Sequence, residues 1–471
     1  MAALGAAVLL VGVVVGSATL AATGVIGGTS PTPSASPAAT PVSASTPDLS
    51  PTPQPTPTVT PTPTATPVPT PRPAPSVHEF AVAAGTEPST AADPFHPGVV
   101  AVVTEQVNWW APGRGCSRPA VRVSKNGGAT WSAPSHPWGS ACQDIHAVVA
   151  WGPNGRLWVG NAISLNPGVL MTVTHSDDFG KTWSKRYVEN FNPRWVGCFA
   201  SIAVDNWPAS PNFGTVYVAY NWLPDKYGPG VSVMASRDGT TWAHTDVKVG
   251  STLASYPYAL RIGYRVEAAP DGTAFVSYYE SDLKSWSSSN IFHEGSVKNV
   301  GRRGIEISRI HFAGQTLSAD SPVWATSISV KEPQFDSGLA VDDTGRAWLA
   351  VENGGKIRVG PVGGSWTDIS IAGKNGLKPS IAISGQTIFV GWHPQDKSGA
   401  RMRTYYTISY DGGQTWLPPA QVTGNSWSPK AASVTNGVGL RENAVFANGT
   451  VYWAYGDARS GLKSYLAVIK P

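Results

Sequence analysis

Eight residues, Ser409 to Trp416, read SYDGGQTW, and nearly the same wording stands at Ser124 to Trp131 (SKNGGATW), at Ser176 to Trp183 (SDDFGKTW) and, one residue shorter, at Ser236 to Trp242 (SRDGTTW). A chain that repeats one turn this often repeats the unit around it, which restricts the fold to an array of like parts. Each position has a task in a tight turn. An Asp or Asn side chain accepts backbone N–H bonds and a Gly takes up positive φ; Asn126, Asp178, Asp238 and Asp411 fill the first role. The Thr-Trp pair then opens a strand, so Trp131, Trp183, Trp242 and Trp416 are expected to pack against neighbouring strands. Turn and packing explain these residues fully, and the motif is read as structural.

A second pattern, a short strand, a Gly-containing turn and an apolar strand, occurs at Ala92–Val103, Ala147–Gly160, Ile202–Tyr220, Val266–Tyr279, Leu339–Val351, Ile381–Trp392 and Asn443–Tyr455. Each is a two-stranded hairpin by period and turn chemistry. In the first, second, third and sixth units a third strand and the Ser-to-Trp turn follow, giving four antiparallel strands, which is a propeller blade. The fifth keeps a worn turn at Gly363-Gly364-Ser365-Trp366, the fourth has none, and the last ends after a third strand, SYLAVI. His78 to Ala83 is expected to supply its missing outer strand beside residues 464 to 469, which closes the ring and hides an edge. The predicted fold is all-β: a single β-propeller over residues 78–471, with seven four-stranded blades of about 56 residues each and six blades as the alternative.

Ahead of it, residues 1–27 hold an uncharged apolar run, Ala2 to Ile26, long enough to cross a bilayer. It is an export signal or a membrane anchor, and the absence of Lys or Arg before it favours an uncleaved anchor. Residues 28–77 are Pro, Thr, Ser and Ala with few charges; they form no core and read as a disordered stalk that reaches on the order of 150 Å as polyproline II. The expected location is extracytoplasmic, at the cell surface or secreted if the first segment is cleaved. There the cysteines are free to oxidise, and Cys116 and Cys142, which flank the first turn motif, are expected to pair, leaving Cys198 a buried thiol. Net charge is only +4, without a basic stripe, which excludes a nucleic-acid partner. No metal-ligand spacing occurs and no cofactor is expected; the chain is expected to be monomeric.

Strands alternate direction, so the turn motifs and first hairpin turns fall on one face and the remaining connections on the other. That other face gathers Asp144, His146, Arg194, Arg261, Arg265, Arg441 and Glu442, with Glu105, Trp109, Trp110, Glu280, Glu352 and His393 beside them. Arginine forks bind carboxylates and Trp faces stack on sugar rings. The ligand-binding expectation is therefore Arg194, Arg261, Arg265, Arg441, Glu442, Trp109, Trp110, Asp144 and His146.

The four turns and the hairpin array resemble the Asp-box, or bacterial neuraminidase, repeats of sialidase-like β-propellers. That resemblance implies a sialidase-like glycoside hydrolase if the protein is an enzyme, but the family's catalytic set is not recognisable. Where its Arg-Ile-Pro motif would stand is Asp93-Pro94-Phe95-His96-Pro97, and the first-blade loop offers Glu105 in place of an Asp. By the resemblance, Arg265 and Arg441 are clamp arginines, and Tyr264 or Tyr278 with Glu280 is the nucleophile pair. Two readings stay open: a glycan-recognising propeller, with or without hydrolysis, and a non-catalytic structural or protein-binding propeller at the cell surface.

Overall fold

The computed structural model describes residues 72–105, 119–139, 144–165, 168–189, 195–225, 228–248, 258–283, 301–329, 337–371, 374–396, 400–428 and 442–471. The expected anchor, nearly all of the stalk, and Cys116 and Cys142 lie outside them. Seven antiparallel sheets form the folded unit. Their innermost strands are Thr86–Ala92, Asp144–Trp151, Trp195–Val204, Tyr258–Ala268, Gly338–Val341, Lys374–Ser384 and Asn443–Ala447. Each packs against the next and the last against the first, so the sheets are blades 1 to 7 of a closed propeller.

The second strand of each blade lies between its neighbours in the sheet and under the faces of the adjoining blades. Val100–Glu105, Ala347–Glu352 and Thr450–Asp457 are accordingly buried at every position, and so they read as apolar runs rather than alternating strands. Blade 1 has three strands, with a single bridge between Val121 and Ser135 in the fourth place. In blade 4, Thr316–Ala319 and Val323–Ser327 both pair with Arg303–Ala313.

The chain closes as its last unit requires. Ser76–Ala84 pairs antiparallel with Lys463–Lys470, bringing Phe80 opposite Leu466, with a bulge between Ala81 and Ala83. Pairing starts at Ser76, opposite Lys470, two residues before the boundary drawn from composition.

The four Ser-to-Trp turns share one hydrogen-bond pattern. The Ser hydroxyl accepts the Gly N–H at 2.8 Å in Ser124–Gly128, Ser176–Gly180 and Ser409–Gly413, and at 2.9 Å in Ser236–Gly239. The Asx oxygen accepts the Thr N–H, as from Thr182 to Asp178 and from Thr415 to Asp411, both at 2.8 Å. The tryptophans that follow reach between blades: Trp183 donates to Ser135 of blade 1 at 2.7 Å, and Trp242 stacks on Tyr187 of blade 2 with centroids 5.0 Å apart.

A feature that the sequence did not announce recurs in the innermost strands. Blades 1, 2, 3, 4 and 6 each carry a register shift there, between Thr86 and Ser89, Ile145 and Val148, Val196 and Ala200, Ile262 and Arg265, and Leu377 and Ser380. In four of them the bulge holds a residue at positive φ: Glu87 (52°), His146 (57°), Gly263 (69°) and Lys378 (57°). Such bulges re-aim side chains near the rim of a barrel or ring.

Candidate functional site

The bulges, the starts of the inner strands and the ends of the second strands share one face, opposite the Ser-to-Trp turns. On it the described residues place a layer of buried ionisable groups. Between blades 1 and 2, the His146 N–H donates to Glu105, and its ring Nε2 sits 2.9 Å from Glu87. In blade 4, Arg261 Nε donates to Glu280 at 2.7 Å, both side chains 1% exposed, and Arg302 donates to the same carboxylate at 3.2 Å. Burial pushes Glu280 up, and the Arg261 charge works against that.

Between blades 6 and 7, His393 Nε2 meets Glu442 at 2.7 Å; the other Glu442 oxygen accepts the Gly456 N–H at 3.0 Å, and Thr404 lies 3.2 Å from His393 Nδ1. At the ring closure, Arg459 joins Glu79 of the first strand at 2.6 Å and Asp457 at 2.6 Å. Blade 5 contributes Glu352, 1% exposed, with the Gly376 N–H as its backbone donor and, among the described residues, no hydrogen-bond partner for Oε2. Burial pushes this carboxyl up to about 7.

Beneath the layer the inner strands line a polar, partly open pocket of about 40 Å³, with Ser89, Ser201, Arg265, Glu267, Ser380 and Asn443 among its walls. Arg265 crosses it, donating from Nε to Ser337 O at 3.0 Å and from Nη2 to Glu442 O at 3.2 Å, and so ties blade 4 to blades 5 and 7. Burial lifts Glu267 to about 8 despite the Arg265 charge. Side chains also lace the ring: Asn443 exchanges two hydrogen bonds with the Thr90 backbone, at 2.7 and 2.8 Å, across blades 7 and 1.

Of the residues expected to bind ligand, His146, Arg261 and Glu442 sit buried on the expected face, and Arg265 lies in the pocket beneath it, donating to the Glu442 carbonyl. Arg261 donates to Glu280, and Arg265 braces three blades. Asp144 opens the inner strand of blade 2. Trp109, Trp110, Arg194 and Arg441 lie outside the described residues. Among the described residues, the hydroxyls of the two tyrosines expected to pair with Glu280 donate to other groups. Tyr264 donates to Arg261 O at 2.5 Å, and Tyr278 donates to Glu306 at 2.7 Å. Both tyrosines are fully buried, and burial, then the Glu306 charge, holds Tyr278 well above its ordinary value. An activated nucleophile needs the opposite shift.

Sequence reasoning passed over Glu87, Glu267 and Glu306. The available signal was an acid inside an apolar strand, as in GIEISRI and RVEAA.

No family model matches the chain, and neither does any curated protein. Solved structures do resemble it. The Hadza microbial sialidase Hz136 is 15% identical, with 75% of this chain and 74% of that one covered, at a TM-score of 0.45. The Penicillium chrysogenum α-L-arabinanase is 12% identical, covering 73% and 100%, at 0.45. A polysaccharide lyase of family PL25, an ulvan lyase, is 11% identical, covering 82% and 93%, at 0.49. The chain is thus similar to several glycan-acting propellers, and its own propeller fold rests on the seven sheets and their closure.

Proposed function

We propose that the protein recognises a glycan or another anionic ligand on the face that carries the ionisable layer, that it does so without hydrolysis, and that residues 1–77 display it outside the cytoplasm. The observation that supports this most is the division of roles on that face. Glu105, His146, Arg261, Glu280 and Glu442 are buried and engaged with one another or with main chain, which makes a rigid polar floor for whatever lies above it. The segments that continue from the same strand ends carry Trp109, Trp110, Arg194 and Arg441, the residue types that stack on sugars and fork onto carboxylates. Tyr264 and Tyr278, buried and committed, argue against a tyrosine nucleophile.

Calorimetric titration of uronic- and sialic-acid oligosaccharides tests the reading. Binding is expected, and Arg441→Ala should weaken it by about 1.5–3 kcal/mol, the worth of a hydrogen bond to a charge; Arg441→Lys should recover only part of that loss. Efficient sialoside turnover abolished by Glu105→Ala would overturn the non-hydrolytic reading. Absence of binding to every acidic glycan would favour a protein partner instead. One observation favours that second reading: Phe95 and Phe213, 38% and 40% exposed, meet edge to face at 6.0 Å on the turn face. Protease treatment of intact cells that leaves the propeller uncut would refute the display.

A further inference from the structure

Six Asn-Gly pairs stand in the chain, at Asn126, Asn154, Asn353, Asn375, Asn436 and Asn448. Such pairs are chemically labile, because a glycine nitrogen, unshielded by a side chain, can reach the Asn side-chain carbonyl carbon. The fold treats them differently. At Asn126 the Gly127 N–H is given to Gly98 O at 2.8 Å, and Thr130 holds both ends of the side chain, Oδ1 accepting its N–H and Nδ2 donating to its hydroxyl, each at 2.9 Å. At Asn353, Oδ1 accepts the N–H and the hydroxyl of Ser329, both at 2.8 Å. The Gly376 N–H that follows Asn375 donates to Glu352. Gly155, after Asn154, is buried, and a Cβ on it would meet Phe179 at 3.6 Å and His96 at 3.8 Å. Asn436 lies outside the described residues.

Asn448 is held by none of these devices. With Gly449 it forms the two-residue turn between Asn443–Ala447 and Thr450–Asp457, at φ of 49° and 72°, and both residues are exposed. A Cβ on Gly449 would have nothing within 4 Å, and among the described residues its N–H has no hydrogen-bond partner. The Asn448 side chain reaches blade 1 through Nδ2, which lies 3.5 Å from Asp93 O, longer than an ordinary N–H bond to oxygen. We propose that Asn448 is a self-modification site, which deamidates through a cyclic imide and so weakens the seam between blades 7 and 1 as the protein ages. The Gly449 nitrogen attacks Asn448 Cγ; that C–N bond forms as Cγ–Nδ2 breaks, and Nδ2 leaves as ammonia with the proton of the Gly449 N–H. Water then opens the imide on one side to aspartate or on the other to isoaspartate. Isoaspartate adds a backbone atom to a turn whose length sets the pairing of Ala447 with Thr450, and either product loses the Nδ2 donor to blade 1.

Ageing the full chain at pH 8 and 37 °C, with peptide mapping by mass spectrometry, tests the site. Deamidation is expected first at Asn448 and at least about tenfold slower at Asn126 and Asn353, where hydrogen bonds must break before the imide can close. In urea the six pairs should react at similar rates, which assigns the native order to the fold. The aged chain should carry isoaspartate, detected by isoaspartyl methyltransferase labelling, and its thermal unfolding should show a lower-melting fraction that grows with the label. Freshly purified Asn448→Asp, which keeps the native backbone length, should melt without that fraction, and Asn448→Gly, which suits the positive φ but has no amide to lose, should not acquire it. Modification that begins at Asn126, Asn154 or Asn353 overturns the proposal, as does a native Asn448 that outlasts its urea-unfolded counterpart by about tenfold. Labelled chain that melts as fresh chain does overturns the weakening of the seam.

Discussion

Asp411 shows how much of this molecule is decided by single side chains in turns. Its carboxylate accepts the Thr415 hydroxyl at 2.5 Å and the Thr415 N–H at 2.8 Å, and these bonds, the hydroxyl first, hold it down at about 2. Asp178 is held at about 2 in the same way, chiefly by the Thr182 N–H. Both values lie below the unfolded-state value of 3.8, so the stabilisation is present above about pH 4 and disappears as pH falls through about 2. Asp411→Ala should therefore lower the urea midpoint at pH 7 and leave glycan affinity unchanged, since the turn is on the far face; a matching loss of affinity would refute that separation. Glu280 is the opposite kind of residue. Glu280→Gln removes the buried carboxylate that Arg261 and Arg302 share, and is expected to cost about 3–5 kcal/mol in urea unfolding. A cost under about 1 kcal/mol would mean that this ion pair contributes little to the fold.

Among the elements, the strand Ser76–Ala84 carries the closure. Gly128, in the first Ser-to-Trp turn, packs directly on it. At φ +95° a Cβ there would lie 2.9 Å from Leu466 and 3.0 Å from Phe80. Gly128→Ala thus combines backbone strain with a clash at the seam, and about 1–3 kcal/mol of destabilisation is expected; a neutral result in thermal unfolding would show that the seam yields. This closure was legible in the sequence because a last unit without a fourth strand and a spare strand at the other end imply each other. The blades were legible because hairpin turns need Gly, Asn and Asp at fixed places. The bulges were not: Glu87, His146 and Lys378 adopt positive φ with no Gly or Asn to mark them. The charged face was legible as a sorting of residues, but its pairings were not, because contacts such as Arg265 to Glu442 O span 177 residues and are set by ring geometry rather than by local pattern.

At the scale of the whole ring, the two faces titrate in different windows. The turn-face aspartates withdraw their support only as pH falls through about 2. Glu267 on the axis and Glu352 in blade 5 are raised, to about 8 and about 7, from an ordinary 4.5. A raised carboxyl stabilises fully below its unfolded-state value, because folded and unfolded chains then both hold the proton. Between about 4.5 and 8 the unfolded chain releases that proton freely while the folded one keeps it, so stability drains away as pH rises, by at most about 1.4 kcal/mol per unit for each group. The two windows leave a stability maximum near pH 4–5. Urea unfolding should show a fall from pH 5 to pH 8, and Glu267→Gln should flatten the part of it that extends from pH 7 to 8. Stability that rises over this interval, or a Glu267→Gln curve parallel to wild type, would show that the axial carboxyl is ionised in the folded ring and that solvent reaches it.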